Sequence, residues 1–308
     1  MLKLDGMAAF VAVAETGSIS AGAKRLGVPK SVASERLSEL ERELGARFLQ
    51  RSTRKMSLTE DGVAFLERAR RILREANDAR AELAERRGTL IGPLRLSAPV
   101  SFGHLHVGPA LYPFLAEHPG IELTLDLDDN YVDVAADGYD AVIRHGPIED
   151  SRLIVKRLAS SRRVLVAAPK YLAQHGAPRS LADLEQRTGI VYTNRESDWR
   201  FAAPDGWTVV RPVRCLRVNN CLLIRGAALA GLGVTLVPRF LVHAELASGA
   251  LREIDVDAEP EGGEIFVAYP ADRGTSAKVR ALTECLRRAF DPPYWDTVAP
   301  SLVQAAAA

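Results

Sequence analysis

Basic side chains that could bind a polyanion are concentrated near the N-terminus of this 308-residue chain. Between Gly17 and Lys55 there are nine lysines and arginines against four acidic residues, whereas the formal charge of the whole chain is only +1. Lysine and arginine neutralise phosphate groups, and a positive segment of this kind is typical of a surface that lies against a nucleic-acid backbone. The sequence therefore predicts a phosphate-binding surface near the N-terminus.

Three short helices are predicted to position these basic residues. Apolar residues recur at helical spacing over residues 4–14, which predicts a first helix with one buried stripe. Ser18 or Ser20 can cap a second helix, which ends before the permissive backbone of Gly27. Residues 31–44 carry apolar side chains three or four positions apart and predict the third helix. Three helices joined in this way form a helix-turn-helix.

The first turns of the third helix are expected to contact base pairs. A recognition helix enters the major groove with its N-terminal end, which selects Pro29, Lys30, Ser31, Ser34 and the nearby Arg36. We assign base readout first to Lys30, with a plain phosphate contact as the equal alternative, because lysine is a flexible point charge. The carboxylate of Glu35 could accept a hydrogen bond from cytosine, but we expect it to face away from the groove.

A two-stranded wing is predicted after the third helix. Residues 48–62, FLQRSTRKMSLTEDG, alternate apolar and polar side chains. They carry three basic residues suited to phosphate contacts, Arg51, Arg54 and Lys55. Such contacts raise affinity for double-stranded DNA and carry little sequence information. Lys24 in the second helix completes the set of predicted DNA-binding residues.

A long helix is predicted from Thr59 to about Arg87, a stretch without proline. Its charged faces flank an apolar seam that is interrupted at Arg80 and consists of Leu66, Ala69, Leu73, Ala76 and Leu83. A helix of this length with an apolar seam needs a partner, so we predict a coiled coil that joins two copies of the chain. The alternative is a solvated helix packed on its own domain.

The pattern after this helix predicts an α/β domain with two lobes. Residues 88–93 break the helix, and strand and helix patterns then alternate, which favours a sheet of parallel type over a sandwich. A late strand, EIFVAY, and the helix after it can pair back with the first part of the domain. Two lobes linked by crossover strands, with a cleft between them, would result.

The predicted fold class is therefore α/β with an all-α winged helix-turn-helix at the N-terminus. The winged helix-turn-helix occupies residues 1–58, the linker helix 59–88 and the two-lobed domain 89–290. Lobe I comprises about 89–161 and 266–290, and lobe II about 162–265. Residues 291–308 look like a loosely attached tail to which we assign no function.

Other functional classes are disfavoured by the sequence. The N-terminus lacks an apolar signal region and no stretch is apolar enough to span a membrane, so we expect a cytoplasmic protein with no membrane partner. Cys215, Cys221 and Cys285 lack the spacing of a disulfide framework or of a metal site. Nucleophile-elbow, P-loop, zinc-protease and dinucleotide-binding motifs are absent, so neither an enzyme nor a cofactor is expected. A solute-binding protein and an α/β enzyme are the alternatives.

The segment GSISAGAKRLGVPKSVASERLSELERELGARFLQRSTRKMSLTEDG closely resembles the signature of LysR-type transcriptional regulators. It includes the LxxLExxLGxxxxxR run that ends at Arg51 and the LTEDG start of the linker helix, and the resemblance covers roughly residues 1–290. The resemblance implies binding to operator and promoter DNA and a domain like a periplasmic binding protein that takes a small-molecule effector. It also implies a homodimer paired through the linker helix, assembly into a homotetramer, and RNA polymerase as a further partner.

Two helix N-termini are expected to point into the cleft, one capped by Ser101 and one by Asn219 or Asn220. Unpaired backbone N–H groups at such ends favour anions, so a carboxylate-bearing metabolite, with aromatic acids among the candidates, is the expected effector. The resemblance places eight residues around it: Ser97, Ser101, Phe102, Arg144, His145, Thr193, Asn194 and Asn219. The alternative is that the caps only terminate their helices.

Overall fold

The computed structural model describes residues 2–51, 56–85, 88–130, 132–134, 137–193, 199–204, 206–271, 273 and 276–296. Contacts divide the chain into two units, Met1–Gly92 and Pro93–Ala308, here called the N-terminal and the C-terminal unit. None of the helices within the described ranges is both long and apolar enough to cross a lipid bilayer.

The N-terminal unit has the predicted order of three short helices, a wing and a long helix. Its elements are α1 (Leu4–Thr16), α2 (Ile19–Arg25), α3 (Lys30–Leu44), β1 (Leu49–Arg51), β2 (Met56–Leu58) and α4 (Glu60–Glu85). Ser18 rather than Ser20 caps α2, because its side chain accepts a hydrogen bond from the backbone N–H of Ala21 at 3.5 Å. Pro29 is the N-cap of α3, which begins one residue earlier than predicted.

The first half of α4 packs on the helix-turn-helix. Phe65 of α4 stacks on Phe48, with ring centroids 4.6 Å apart and an angle of 8° between the rings. Three residues of the predicted seam, Leu66, Ala69 and Leu73, belong to the same apolar cluster, and Ala69 is fully buried. These three residues therefore pack on their own domain, as the alternative to the coiled coil predicts.

The distal half of α4 presents a different apolar stripe. Ile72, Ala76, Ala79 and Leu83 recur at spacings of four, three and four residues, which places them on one side of the helix. Ile72 is 39% and Leu83 61% exposed. Arg80 lies beside this stripe, so the interruption that the sequence placed at Arg80 is absent from it.

The C-terminal unit alternates strands and helices along the chain. Its strands are β3 (Gly92–Ala98), β4 (Ile121–Leu127), β5 (Ala141–His145), β6 (Leu153–Ser161), β7 (Arg163–Ala167), β8 (Thr188–Tyr192), β9 (Trp199–Ala203), β10 (Gly206–Val210), β11 (Val213–Val218), β12 (Thr235–Pro238), β13 (Arg252–Glu253) and β14 (Gly263–Pro270). Its helices are α5 (Val100–Phe102), α6 (Gly108–Glu117), α7 (Pro169–His175), α8 (Leu181–Glu185), α9 (Cys221–Leu229), α10 (Arg239–Ser248) and α11 (Ala277–Phe290), and a π-helix at Gly103–Val107 joins α5 to α6.

Lobe I is built on a sheet with the strand order β4-β3-β5-β14-β6. β3 and β5 are parallel, whereas β14 runs antiparallel to both β5 and β6. The predicted return of the late strand to the first lobe is therefore confirmed. The expectation of a parallel-type sheet holds in this lobe for β3 with β5 but not for β14, whose return in the opposite direction makes the sheet mixed.

Lobe II is built on smaller sheets. β7 lies between β12 and β13 and is antiparallel to both, while β8 and β11 are parallel and β9 and β10 form an antiparallel pair. Its core gathers side chains from all these sheets, including Leu165, Val191, Trp199 and Leu236. Two short crossovers, after Ser161 and before Gly263, connect the lobes.

The first residues of the predicted tail are firmly packed. Trp295 is 1% exposed and is the largest fully buried side chain among the described residues. Its ring lies against Phe102 and Phe290 of lobe I and Phe240 of lobe II. The expectation of a loosely attached tail is therefore wrong for residues 291–296.

Candidate functional site

The first turn of α3 is exposed on the N-terminal unit. Pro29, Lys30 and Ser31 are exposed, and Ser34 is half-buried one turn further along. Because proline as N-cap offers no side-chain acceptor, the backbone N–H groups of this turn are available to a phosphate. Glu35 is exposed and follows Ser31 by four residues, so it borders this face instead of lying opposite to it.

Two other predicted DNA contacts differ in their surroundings. Lys24 of α2 is exposed and lies in the last turn of that helix. Arg36 is half-buried, and its Nη2 atom lies 2.9 Å from the carboxylate of Asp5 in α1. Arg36 also lies two residues from Ser34, which turns it toward another side of α3. The ion pair therefore holds Arg36 against α1 and away from the exposed first turn.

The predicted wing is an antiparallel pair of strands, β1 and β2. Glu41 of α3 ties the wing to the helix, since its Oε1 atom accepts a hydrogen bond from the backbone N–H of Phe48 at 2.8 Å. The side chain of Arg51 lies outside the described residues, as do Arg54 and Lys55 altogether. Their contacts with DNA stay predictions.

Gly62 in the LTEDG motif fixes the junction between the wing and α4. A Cβ atom at this position would lie 2.1 Å from the carbonyl oxygen of Phe48. The Oγ1 atom of Thr59 accepts a hydrogen bond from the backbone N–H of Gly62 at 2.9 Å and donates one to the carbonyl of Arg47. The motif is therefore explained by close packing and by the cap of α4.

A cavity of about 570 Å³ lies between the lobes of the C-terminal unit. Lobe I contributes Ser101, Phe102, Asp128, Asp129, Arg144, His145 and Phe266, and lobe II contributes Tyr192, Cys221, Ile224, Val237 and Phe240. The ring of His145 stacks on that of Phe240 with centroids 5.2 Å apart, so the lobes touch at the edge of the cavity. Its size and mixed lining suit a small polar molecule with an apolar body.

Arg144 is a cation of the cavity wall whose hydrogen bonds all go to neutral groups. Its Nη2 atom donates to Ser97 Oγ at 2.9 Å and to the carbonyl of Asn130 at 3.5 Å, and Nη1 donates to the carbonyl of Ile143 at 2.8 Å. Among the described residues, no carboxylate forms an ion pair with it. Burial lowers the pKa of the Arg144 guanidinium, and the nearby Asp128 opposes that shift. An anion in the cavity would supply the missing partner.

The carboxylates that line the cavity are engaged elsewhere. Asp129 accepts a hydrogen bond from the backbone N–H of Val100 at 3.0 Å, and Asp128 accepts from both nitrogens of Asn130. Two more, Glu261 and Glu264, pair with Arg200 at 3.2 Å and with Arg157 at 2.7 Å. Within the described residues, the lining carboxylates therefore leave the charge of Arg144 without an ion pair, and the hydroxyl of Ser101 has no hydrogen-bond partner.

The helix end at Ser101 differs from its prediction. Pro99 is the N-cap of α5, and the carboxylate of Asp129 takes the N–H of Val100, so this end does not favour an anion. Ser101 lies inside the helix and is 5% exposed, and its Oγ atom has no hydrogen-bond partner within the described part of the chain. The expected cap is therefore a buried donor at the cavity wall.

The second predicted helix end is capped by Asn220. Its side chain accepts hydrogen bonds from the backbone N–H groups of Leu222 at 3.0 Å and Leu223 at 3.2 Å. Asn219 and Thr193 are exposed and are not among the residues that line the cavity. The structure brings together four predicted residues at the wall, Ser101, Phe102, Arg144 and His145, with Ser97 behind Arg144. Asn194 lies outside the described residues.

Several cavity residues were missed by sequence reasoning. Asp128 and Asp129 directly follow β4, and polar residues at the carboxyl end of a strand are a usual sign of a site. Phe240 and Cys221 stand in apolar helices and give no comparable signal. No group of three or more metal-ligating side chains gathers within the described ranges.

Comparisons with known proteins agree with this arrangement. Residues 4–63 match the bacterial regulatory helix-turn-helix protein of the lysR family, and residues 87–291 match the LysR substrate binding domain. The regulator PtxR of Pseudomonas aeruginosa is 35% identical, with 93% of this chain and 92% of PtxR covered. The regulator DmlR of Escherichia coli is 32% identical, with 94% and 95% covered.

Among solved structures, CrgA, a LysR-type transcriptional regulator from Neisseria meningitidis, superimposes with a TM-score of 0.61. It is 27% identical, with 92% of this chain and 98% of CrgA covered. The family matches span both units, and the relatives are similar over nearly their whole length. The chain therefore belongs to the LysR family of DNA-binding transcriptional regulators, with an effector-binding domain behind its winged helix-turn-helix.

Proposed function

We propose that this regulator is controlled by a small carboxylate-bearing effector that binds in the cavity between the lobes. Arg144 carries this proposal, because it is a partly buried cation of the wall whose hydrogen-bond partners among the described residues are all neutral. A bound carboxylate would pair with the guanidinium, and charge-assisted hydrogen bonds of this kind are among the strong ones. The hydroxyl of Ser101, which has no partner in the part of the chain that the structure describes, would donate a further hydrogen bond.

The rest of the effector would be apolar. Phe102, Phe266, Ile224 and Phe240 line the cavity, so an aromatic or branched aliphatic body would be buried there. Ligand sites of this type combine apolar walls with a few placed polar groups. We therefore propose aromatic acids as the first class to test.

A panel of paired compounds tests this proposal. Benzoate and salicylate would be compared with benzamide and salicylamide, which keep the ring and lose the charge, by isothermal titration calorimetry and by thermal shift. We expect the acids to bind and to raise the melting temperature, since a ligand that binds the folded state stabilises it. Equal responses to acids and amides would refute an anion site at Arg144.

DNA recognition is proposed to use the exposed end of α3 and the wing. Lys30, Ser31 and Ser34 would face base edges, with Pro29 beside them, while Lys24, Arg51, Arg54 and Lys55 would contact phosphates. Arg36 is proposed only as a neighbour that orients α3, because Asp5 already binds it. In this division the winged helix-turn-helix, residues 1–58, binds the operator in the bacterial cytoplasm. The linker helix, residues 59–88, connects it to the domain of residues 89–290, which senses the effector.

Pairing of two chains is proposed to use the exposed stripe of α4, Ile72, Ala76, Ala79 and Leu83. Apolar side chains at this spacing suit a short antiparallel or parallel helix pair. We also propose, from membership of the LysR family, that the chain assembles into tetramers and contacts RNA polymerase. Light scattering on Leu83→Glu should report loss of the dimer, whereas Val63→Glu, at an equally exposed position on another side of α4, should leave it intact.

A further inference from the structure

The residues Tyr294, Trp295 and Asp296, here called the C-terminal clasp, contact both lobes. The clasp begins after the LysR substrate binding domain match ends at residue 291. Trp295 is 1% exposed, and its ring centroid lies 5.7 Å from that of Phe102 in lobe I and 6.1 Å from that of Phe240 in lobe II.

Polar contacts hold the clasp on both sides. The Nε atom of Arg239, at the start of α10 in lobe II, donates to the carbonyl of Trp295 at 3.1 Å. The hydroxyl of Ser160, at the end of β6 in lobe I, donates to the carboxylate of Asp296 at 2.6 Å. Ser160 directly precedes Ser161, a residue of the cavity wall at the first crossover. The clasp therefore spans the same junction that the cavity occupies.

His106 joins the clasp to both lobes. This residue of the π-helix in lobe I is 2% exposed, and its Nε2 atom lies 3.1 Å from the carbonyl of Phe240 in lobe II. A carbonyl only accepts, so Nε2 carries the proton and the neutral ring accepts from the hydroxyl of Tyr294 at Nδ1. Burial lowers the pKa of His106 to about 4, with His243 adding to the shift, which keeps the ring neutral at physiological pH.

The position of the clasp relates it to ligand binding. Phe102 and Phe240 are adjoining parts of the cavity wall, one from each lobe, whose rings touch edge to face with centroids 5.0 Å apart. Both pack against Trp295, which is not itself a lining residue. A wall residue can hold its place only if the layer behind it is filled, because interiors are close-packed. Trp295 fills that layer for both lobes at once.

We propose that the C-terminal clasp fixes the spacing of the two lobes at the cavity, so that Trp295 is a positioning residue for the effector. This inference rests on the proposed function, since it takes the cavity to be the effector site. Loss of Trp295 would remove the ring that supports the contact between Phe102 and Phe240 from behind, and so would lower the population of the binding-competent arrangement.

The test compares full-length protein with Trp295→Ala and Trp295→Phe. The indole Nε1 atom has no hydrogen-bond partner among the described residues, so phenylalanine should keep the packing without losing a hydrogen bond. A third variant that ends after Asp296 removes only residues 297–308 and is the matched control. Hydrogen exchange would be followed by mass spectrometry, and benzoate affinity by calorimetry.

In Trp295→Ala we expect faster exchange in residues 100–107 and 239–243 together, with the sheets of both lobes unchanged, and benzoate binding weaker by about tenfold. Trp295→Phe and the control should resemble the wild type. Uniformly faster exchange of the whole C-terminal unit, or a change in one lobe alone, would overturn the proposal that the clasp fixes the spacing of the lobes. If the wild type fails to bind benzoate, the carboxylate proposal loses its support, and the exchange data still decide whether the clasp joins the lobes.

Discussion

The two candidate sites present their cations to ligands in opposite ways. Lys24 and Lys30 are exposed on the N-terminal unit, where solvent and salt screen them. Arg144 is partly buried in the cavity wall and is held in place by Ser97 and two backbone carbonyls. Exposed lysines suit a long polyanion, which is bound through many weak contacts. A fixed guanidinium suits one small anion of defined shape.

The strongest test of the exposed site is Ser34→Glu. A carboxylate one turn into α3 would face base edges and phosphates without affecting a buried position, so we expect operator binding to weaken by more than about 100-fold. Fluorescence anisotropy on a labelled duplex from upstream of the protein's own gene would measure this affinity, and circular dichroism would confirm that the variant is folded. Ser34→Ala is the control and should bind within a few-fold of the wild type. Unchanged affinity in Ser34→Glu would remove α3 from the interface.

The buried site is tested by Arg144→Gln. Glutamine keeps hydrogen-bond donors and loses the charge, so we expect benzoate affinity to fall by roughly 10- to 100-fold, the usual range for a charged hydrogen bond. Arg152→Gln is the matched control, because Arg152 lies in the same lobe, is exposed and pairs with Asp150. Calorimetry would compare the three proteins. Similar losses in both variants would argue against a specific anion site.

Acid should loosen the junction between the lobes through His106. Its folded pKa of about 4 lies below the value of about 6.5 expected in the unfolded chain, so the unfolded state binds more protons in that interval. Stability contributed by the neutral ring is therefore complete above pH 6.5 and is lost as pH falls toward 4. Between pH 7 and pH 5 we expect a loss of about 2 kcal/mol from this residue.

Urea unfolding of the C-terminal unit at both pH values would measure the loss from His106. In His106→Asn, the difference in the free energy of unfolding between pH 7 and pH 5 should be smaller by about that amount. His243→Asn, at a half-buried neighbouring position, should retain most of this difference. An identical pH dependence in His106→Asn and the wild type would mean that the folded protein accommodates the charged ring.

The smallest effect is expected from Lys24→Ala. One phosphate contact on B-DNA contributes a slope of about 0.9 in the dependence of log K on log salt, so the slope should decrease by about that amount. Affinity should fall to a similar degree on native and scrambled duplexes, because phosphates carry no sequence information. Lys156→Ala, an exposed lysine of the C-terminal unit, serves as the control. A selective loss on the native duplex would assign Lys24 to base readout.

The helices and the wing that carry the N-terminal candidate site were largely predictable because their signals are local. Ser18, Gly27 and the three-four spacing of α3 act within a few residues of the structure they specify, and the family motif fixes their order. The exception was α4, whose two apolar stripes overlap in sequence. Tertiary packing on the helix-turn-helix, including that of Phe65 on Phe48, decides which stripe faces inward.

The cavity was less predictable because distant segments compete for the same groups. Ser101 has the residue type of a helix cap, yet Asp129, which lies far along the chain, takes the N–H group at that helix end. Trp295 stands alone in a proline-containing tail without periodicity, and its burial depends on helices from both lobes. Pairings of this kind arise from tertiary contacts and leave no pattern in the local sequence.

Operator recognition by α3 and the wing is best tested by fluorescence anisotropy of the purified protein on labelled DNA from upstream of its own gene, titrated with salt. A scrambled duplex of the same length and composition is the control. We expect tight binding that prefers the native duplex and weakens steeply as salt increases, since specific contacts add to phosphate neutralisation. Equal and weak binding to both duplexes would contradict operator recognition by α3 and the wing.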